Sequence, residues 1–176
     1  MRRILPILGL AWAAGAAHAD VRLHPLFADH AVLQRDRDIK VIGWADSGEQ
    51  VTVSLGNTTV STTTSASGKW QVALPKQRAS TTPANLIVKG KNRIERSDIL
   101  IVDVWLCSGQ SNMEWGLGGC DDSDAIRTAD YPLIRHFGVE MHFARDPQET
   151  IKGSWAVSSP ATAGLPLWAT TSREKS

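Results

Sequence analysis

Asp98-Ile-Leu-Ile-Val-Asp-Val-Trp-Leu-Cys107 is a nearly continuous apolar run, and it stops abruptly at Ser108-Gly-Gln-Ser-Asn112. Such a run, bounded by turn residues, is the pattern of a strand covered on both faces in a parallel sheet, not of a strand with one wet face. In open α/β sheets, ligands and chemistry gather beyond the carboxyl ends of the strands. Ser111 falls there, after Cys107 and Gly109 and between Gln110 and Asn112. A glycine turn at that place aims backbone N–H groups at an anion, so one loop can present a nucleophile and part of an oxyanion hole. The same residues also fit a plain turn whose serine caps a helical segment. On the residues alone both readings stand.

Downstream, Asp121-Asp-Ser-Asp-Ala-Ile-Arg-Thr-Ala129 has acid at its front, no Gly or Pro inside it, and Pro132 beyond, which predicts a short helix. Ile134 to Ala144 reads as a second strand. Strand, loop, helix and strand make the first unit of an α/β sheet, assigned to residues 98–164. So small a part of a sheet leaves apolar faces uncovered, and this region is expected to pack poorly on its own.

Upstream the character differs. Lys40 to Trp44, Gln50 to Leu55, Thr58 to Thr64, Lys69 to Leu74 and Ala84 to Lys89 are short Val- and Thr-rich segments. Between them lie turn residues such as Asp46-Ser-Gly48, Gly56-Asn57 and Ser65-Ala-Ser-Gly68. This spacing predicts an antiparallel β-sandwich over residues 20–97, with a boundary near Ser97. Trp44 and Trp70 sit on these strands as core fillers; the competing reading is a pair of exposed platforms for sugar stacking.

The 176 residues are 42% hydrophobic and 21% charged with a formal net charge of +1, so charge balance gives no reason to expect nucleic acid or an acidic membrane as partner. Residues 1–19 are set apart. A basic Met1-Arg2-Arg3, an apolar Ile4–Ala17 and a small-x-small Ala17-His18-Ala19 read as a secretory signal peptide, with Asp20 opening a secreted or periplasmic protein free of membrane anchorage. In such a compartment Cys107 and Cys120 could pair, yet Cys107 closes an apolar strand and reads as a small buried hydrophobe. Neither cysteine has a His or Cys at ligand spacing, so no metal is expected.

Ser108-Gly-Gln-Ser-Asn-Met113, preceded by Asp103-Val-Trp-Leu-Cys107 and followed by Glu114-Trp115, resembles the signature block of the sialate O-acetylesterase family, a branch of the SGNH hydrolases. His24-Pro-Leu-Phe27 with Ala31-Val-Leu-Gln-Arg35, Val41 to Trp44, and Gly68-Lys-Trp70 are similar to earlier family segments. Ile134-Arg135 with Phe137 and Val139, and Trp155 with Pro160 and Thr162, are similar to later ones. The resemblance implies a flavodoxin-like α/β domain and a two-step ester hydrolysis without cofactor. In it Ser111 is the nucleophile and lends its own N–H to the oxyanion, while Gly109, Gln110, Asn112 and Met113 hold the turn. It also implies an acetylated carbohydrate as substrate, sialic acid or a related sugar. The different-class alternative is a non-catalytic carbohydrate-binding or structural β-sandwich module.

A serine hydrolase of this kind needs a histidine base and usually an acid. In the family these come from an Asp-x-x-His-like segment far downstream, which this sequence lacks. Of its five histidines, His136 and His142 lie on the predicted second strand and read as ordinary strand residues, so no base or acid is assigned. After Gly164 the family continues with an apolar helix such as Ala-Val-Gly-Tyr-Tyr-Phe-Ala. Codons GCT-GTG-GGC-TAC-TAC-TTC-GCG for that helix, read one base on, give Leu-Trp-Ala-Thr-Thr-Ser, which is Leu167 to Ser172. Residues 165–176 are therefore expected to be a frameshifted tail on a truncated esterase of little activity.

Overall fold

A computed structural model of the chain describes residues 20–109, 115–120, 122–140, 142 and 144–164, and the backbone of 169–173. The signal-peptide assignment, and Gln110, Ser111, Asn112 and Met113, lie outside the described residues.

The described chain is mostly β. Strands β1 (Arg22–Leu23), β3 (Ile39–Trp44) and β6 (Lys69–Leu74) form one sheet in the order β1-β3-β6. A larger sheet runs β10-β9-β11-β8-β7-β4-β5, with β2 (Val32–Gln34) added in parallel to β8. Its members are β4 (Gln50–Leu55), β5 (Thr58–Thr63), β7 (Ser80–Lys89), β8 (Arg93–Leu106), β9 (Tyr131–Val139), β10 (Gly153–Ser158) and β11 (Ala169–Arg173).

Burial alternates along the strands. Along β6, Trp70, Val72 and Leu74 point inward; along β4, Val51, Val53 and Leu55 do. These meet Val41, Leu86, Val88, Ile99 and Ile101 in one core to which both sheets contribute. Each such aliphatic side chain, wholly buried, stabilises the fold by roughly 1.5–3 kcal/mol. The turn assignments hold as well: Gly56 has φ +56 in the loop that closes β4 onto β5 by pairing Leu55 with Thr58. Trp70 is core, as its alternation implies, and its ring lies so close over Gly43 that a Cβ there would overlap both it and the Arg22 carbonyl. Trp44 is half-buried, with the His24 ring stacked at 6.0 Å and the Arg22 guanidinium 5.8 Å from its centre.

The apolar run that begins at Asp98 forms the second half of β8. It does not begin a new element at Ser97, because β8 passes through Ser97 unbroken, with Asp98 at φ +58. Its first half pairs antiparallel with β7, and Val32↔Leu100 to Gln34↔Val102 pair it parallel with β2. Ile99, Leu100, Ile101 and Val102 are buried, as a strand covered on both faces requires. The second strand is Tyr131–Val139 instead of Ile134 to Ala144, and the helix, α1, is only Ser123–Arg127. The sequence reading missed β10, which pairs antiparallel with β9 from Gly153↔Val139. β8 and β9 are not direct neighbours either. The backbone of β11 lies between them, antiparallel to both, which makes β8 and β9 parallel to each other.

Candidate active site

Two arginines set the position of the strand that leads to Ser111. Asp98 and Asp103 are charges inside an apolar run, and a charge taken from water needs a partner. Arg35, at the end of β2, donates through Nε to Asp103 Oδ1 at 2.9 Å and through Nη2 to Oδ2 at 3.3 Å. Beside it, Gln34 Oε1 accepts from the Val104 N–H at 2.9 Å, and the Arg35 N–H donates to the Val102 carbonyl at 3.0 Å. The family-like Gln34-Arg35 pair thus grips β8 just before the loop. The bidentate carboxylate also raises the Arg35 pKa further.

Arg135 does the same for β9. Its side chain, 5% exposed, donates through Nη2 to Asp98 Oδ1 at 2.8 Å and through Nη1 to the Asp98 carbonyl. His30 Nδ1 lies 2.6 Å from the other carboxylate oxygen. Burial opposes ionisation of Asp98, but the hydrogen bonds and charges of Arg135 and His30 outweigh it and hold its pKa below the ordinary value. One residue before, Ser97 donates N–H and hydroxyl to Asp29 at 2.6 and 3.1 Å; the backbone bond chiefly holds the Asp29 carboxyl low.

Beyond these anchors β8 becomes exposed: Trp105 is 51% and Leu106 85% accessible. Cys107 is half-buried, while Ser108 and Gly109 are exposed at the strand's end. Of the residues assigned to the site, Gly109 alone lies among the described ones. The chain returns at Trp115, turns through a 3-10 segment, Leu117–Gly119, and enters α1, whose first turn is capped by Asp122 accepting from the Ala125 N–H at 2.9 Å. Cys107 and Cys120 are not joined in a disulfide.

Between this segment and β9 lies a cavity of about 340 Å³, lined by Leu117, Ala125, Tyr131, His136, Ser158 and Thr162 among others. His136 is buried there, and burial lowers its pKa, so its imidazole is neutral near pH 7. Arg135, His136 and Phe137 are all buried, so the middle of β9 is enclosed on both faces. His142, past the end of β9, is exposed. Among the described residues no group of three or more His, Cys, Asp or Glu is arranged to hold a metal, and no helix is long and apolar enough to cross a membrane.

No protein-family model matches the chain. A sialate O-acetylesterase from Rattus norvegicus is 29% identical over 177 residues, covering 92% of this chain and 32% of that protein. The crystal structure of a carbohydrate acetylesterase from Xanthomonas citri matches with a TM-score of 0.81 and 35% identity, covering 85% of this chain and 35% of that one. The chain therefore spans about a third of the length of each of these relatives. In sequence it is similar to a sialate O-acetylesterase, and in fold to a carbohydrate acetylesterase.

Proposed function

We propose that this chain is the nucleophile-bearing part of a secreted or periplasmic carbohydrate esterase that removes O-acetyl groups from sialic acid or a related sugar. The reading is carried by the 0.81 TM-score and 35% identity to a carbohydrate acetylesterase over 85% of the chain. The Ser108-Gly-Gln-Ser-Asn-Met113 block, placed after an arginine-anchored strand, supports it. On this reading residues 20–97 are a β-sandwich and residues 98–164 the start of an SGNH-type α/β sheet.

In the proposed reaction Ser111 Oγ bonds to the acetyl carbonyl carbon as a base takes the hydroxyl proton. The tetrahedral oxyanion is held by the Ser111 N–H among other donors. The sugar oxygen leaves with a proton, and water then releases acetate from the acetyl-serine. The base and its acid partner are not assigned to any of these residues, so the 176-residue chain alone turns over little substrate, since losing the base costs several powers of ten.

The test compares acetate release from an aryl acetate and from an O-acetylated sugar by this chain and by a version extended to the length of the relatives. Release by the extended protein that vanishes in Ser111→Ala supports the reading. Sugar binding without turnover in both would favour a non-catalytic module.

A further inference from the structure

We propose that the hollow at the end of β9 and the start of β10 is the sugar-ring subsite of this esterase, an inference that rests on the function proposed above. The hollow measures about 520 Å³, within the range of small-molecule sites. Pro25, Val139 and Ile151 give it apolar walls, and Glu140, His142 and Lys152 stand among its polar lining.

Its position follows from strand register. Thr170 of β11 faces both Leu106 of β8 and Phe137 of β9, so the two parallel strands end level with one another. Ser108 and Gly109 lead away from one end, and Glu140 from the other, about two strand spacings or roughly 10 Å apart. Both strands present their carboxyl ends at this edge, with β11 antiparallel between them. A sugar ring seated over β9 would direct an acetyl group on one of its hydroxyls toward Ser108 and Gly109, the described start of the Ser108–Met113 block.

The lining matches the chemistry of a pyranose, which has an apolar C–H face and hydroxyls that both donate and accept. Glu140 accepts, Lys152 donates and His142 does either. Glu140 and Lys152 are both exposed. The floor is held by the β9–β10 ladder and by the Glu140 N–H donating to the Lys152 carbonyl at 2.9 Å.

Saturation-transfer NMR and titration on the 176-residue chain test this with two probes: the methyl glycoside of an O-acetylated sialic acid, which carries a carboxylate, and a neutral methyl hexoside monoacetate. His142 and Lys152 are exposed, so the double variant His142→Ala/Lys152→Ala is expected to keep the parent's thermal unfolding. It should weaken binding of at least one probe fivefold or more, and a loss confined to the sialoside would assign the carboxylate to Lys152. No binding of either probe, or equal binding by parent and variant, overturns the subsite. In the extended protein the same variant should raise KM for the acetylated sugar. Ser111-dependent turnover with an unaltered sugar KM would sink the subsite alone; variant-sensitive binding without any turnover would sink the esterase reading and leave the subsite standing.

Discussion

Replacing Arg135 with methionine removes the guanidinium that fastens β9 to β8 while keeping most of the side chain's bulk. The arginine is 5% exposed and donates to the Asp98 carboxylate, the Asp98 carbonyl and, at 3.3 Å, the Pro132 carbonyl. Hydrogen bonds to charged groups contribute about 1.5–3 kcal/mol, and breaking a buried pair costs roughly 3–5 kcal/mol. Asp98 is 30% exposed and keeps His30, which lowers the expected loss to about 2–3 kcal/mol. For a chain of this size that is a fall in Tm of about 5–10 °C at pH 7, measured by circular dichroism with urea unfolding as a check. The effect also has a pH signature. The Asp98 carboxyl is held low in the fold, so its contribution is present above the ordinary carboxylate pKa of about 4 and is lost as pH falls below it. Parent and variant stabilities should therefore converge on the acid side. A loss under about 0.5 kcal/mol at pH 7, or a gap that persists undiminished at pH 3, would refute the assignment of Arg135 as the tether.

Gly43→Ala drives a methyl group into Trp70 and the Arg22 carbonyl, and is expected to cost about 2 kcal/mol or more in urea unfolding. His24 and His136 both have pKa values lowered by burial, so the unfolded chain binds protons that the fold resists. Stability should be flat above about pH 7 and fall as pH drops through about 6.5, with His136→Gln flattening part of that fall. Trp155→Phe deletes the indole donor to the Leu26 carbonyl at 2.8 Å while keeping an aromatic ring beside Phe137, for a loss of about 1 kcal/mol. Both thiols should react with Ellman's reagent, exposed Cys120 faster than half-buried Cys107, and a non-reducing mass lower by two hydrogens would contradict this.

The β region was legible because short Val- and Thr-rich segments are separated by turn residues: the candidate strands at Lys40, Gln50, Thr58 and Lys69 fall on β3 to β6. Beyond Ser97 a local pattern serves less well. Asp98 and Asp103 mark where β8 needs cations, but nothing nearby in sequence says that Arg135 and Arg35 supply them. β10 was missed because Gly153 to Ser158 has no clean alternation; five of its six residues are partly buried. His136 read as an ordinary strand residue since no spacing reveals that α1 and the Leu117 turn leave a cavity over it. Of the proposed site, the sequence motif suggests the serine, and the structure describes the arginine-held strand before it.

The parallel pairing of β2 with β8 has a consequence for synthesis. Arg35 and Asp103 are 68 residues apart, and the β2–β8 ladder joins segments similarly distant. A chain made from its N-terminus at about 5–20 residues per second must hold Ala31-Val-Leu33 without its native neighbour for roughly 3–14 s. During that interval the segment is a short sticky edge on the nascent chain, and its capture by a chaperone or by another unfinished copy competes with the arrival of β8.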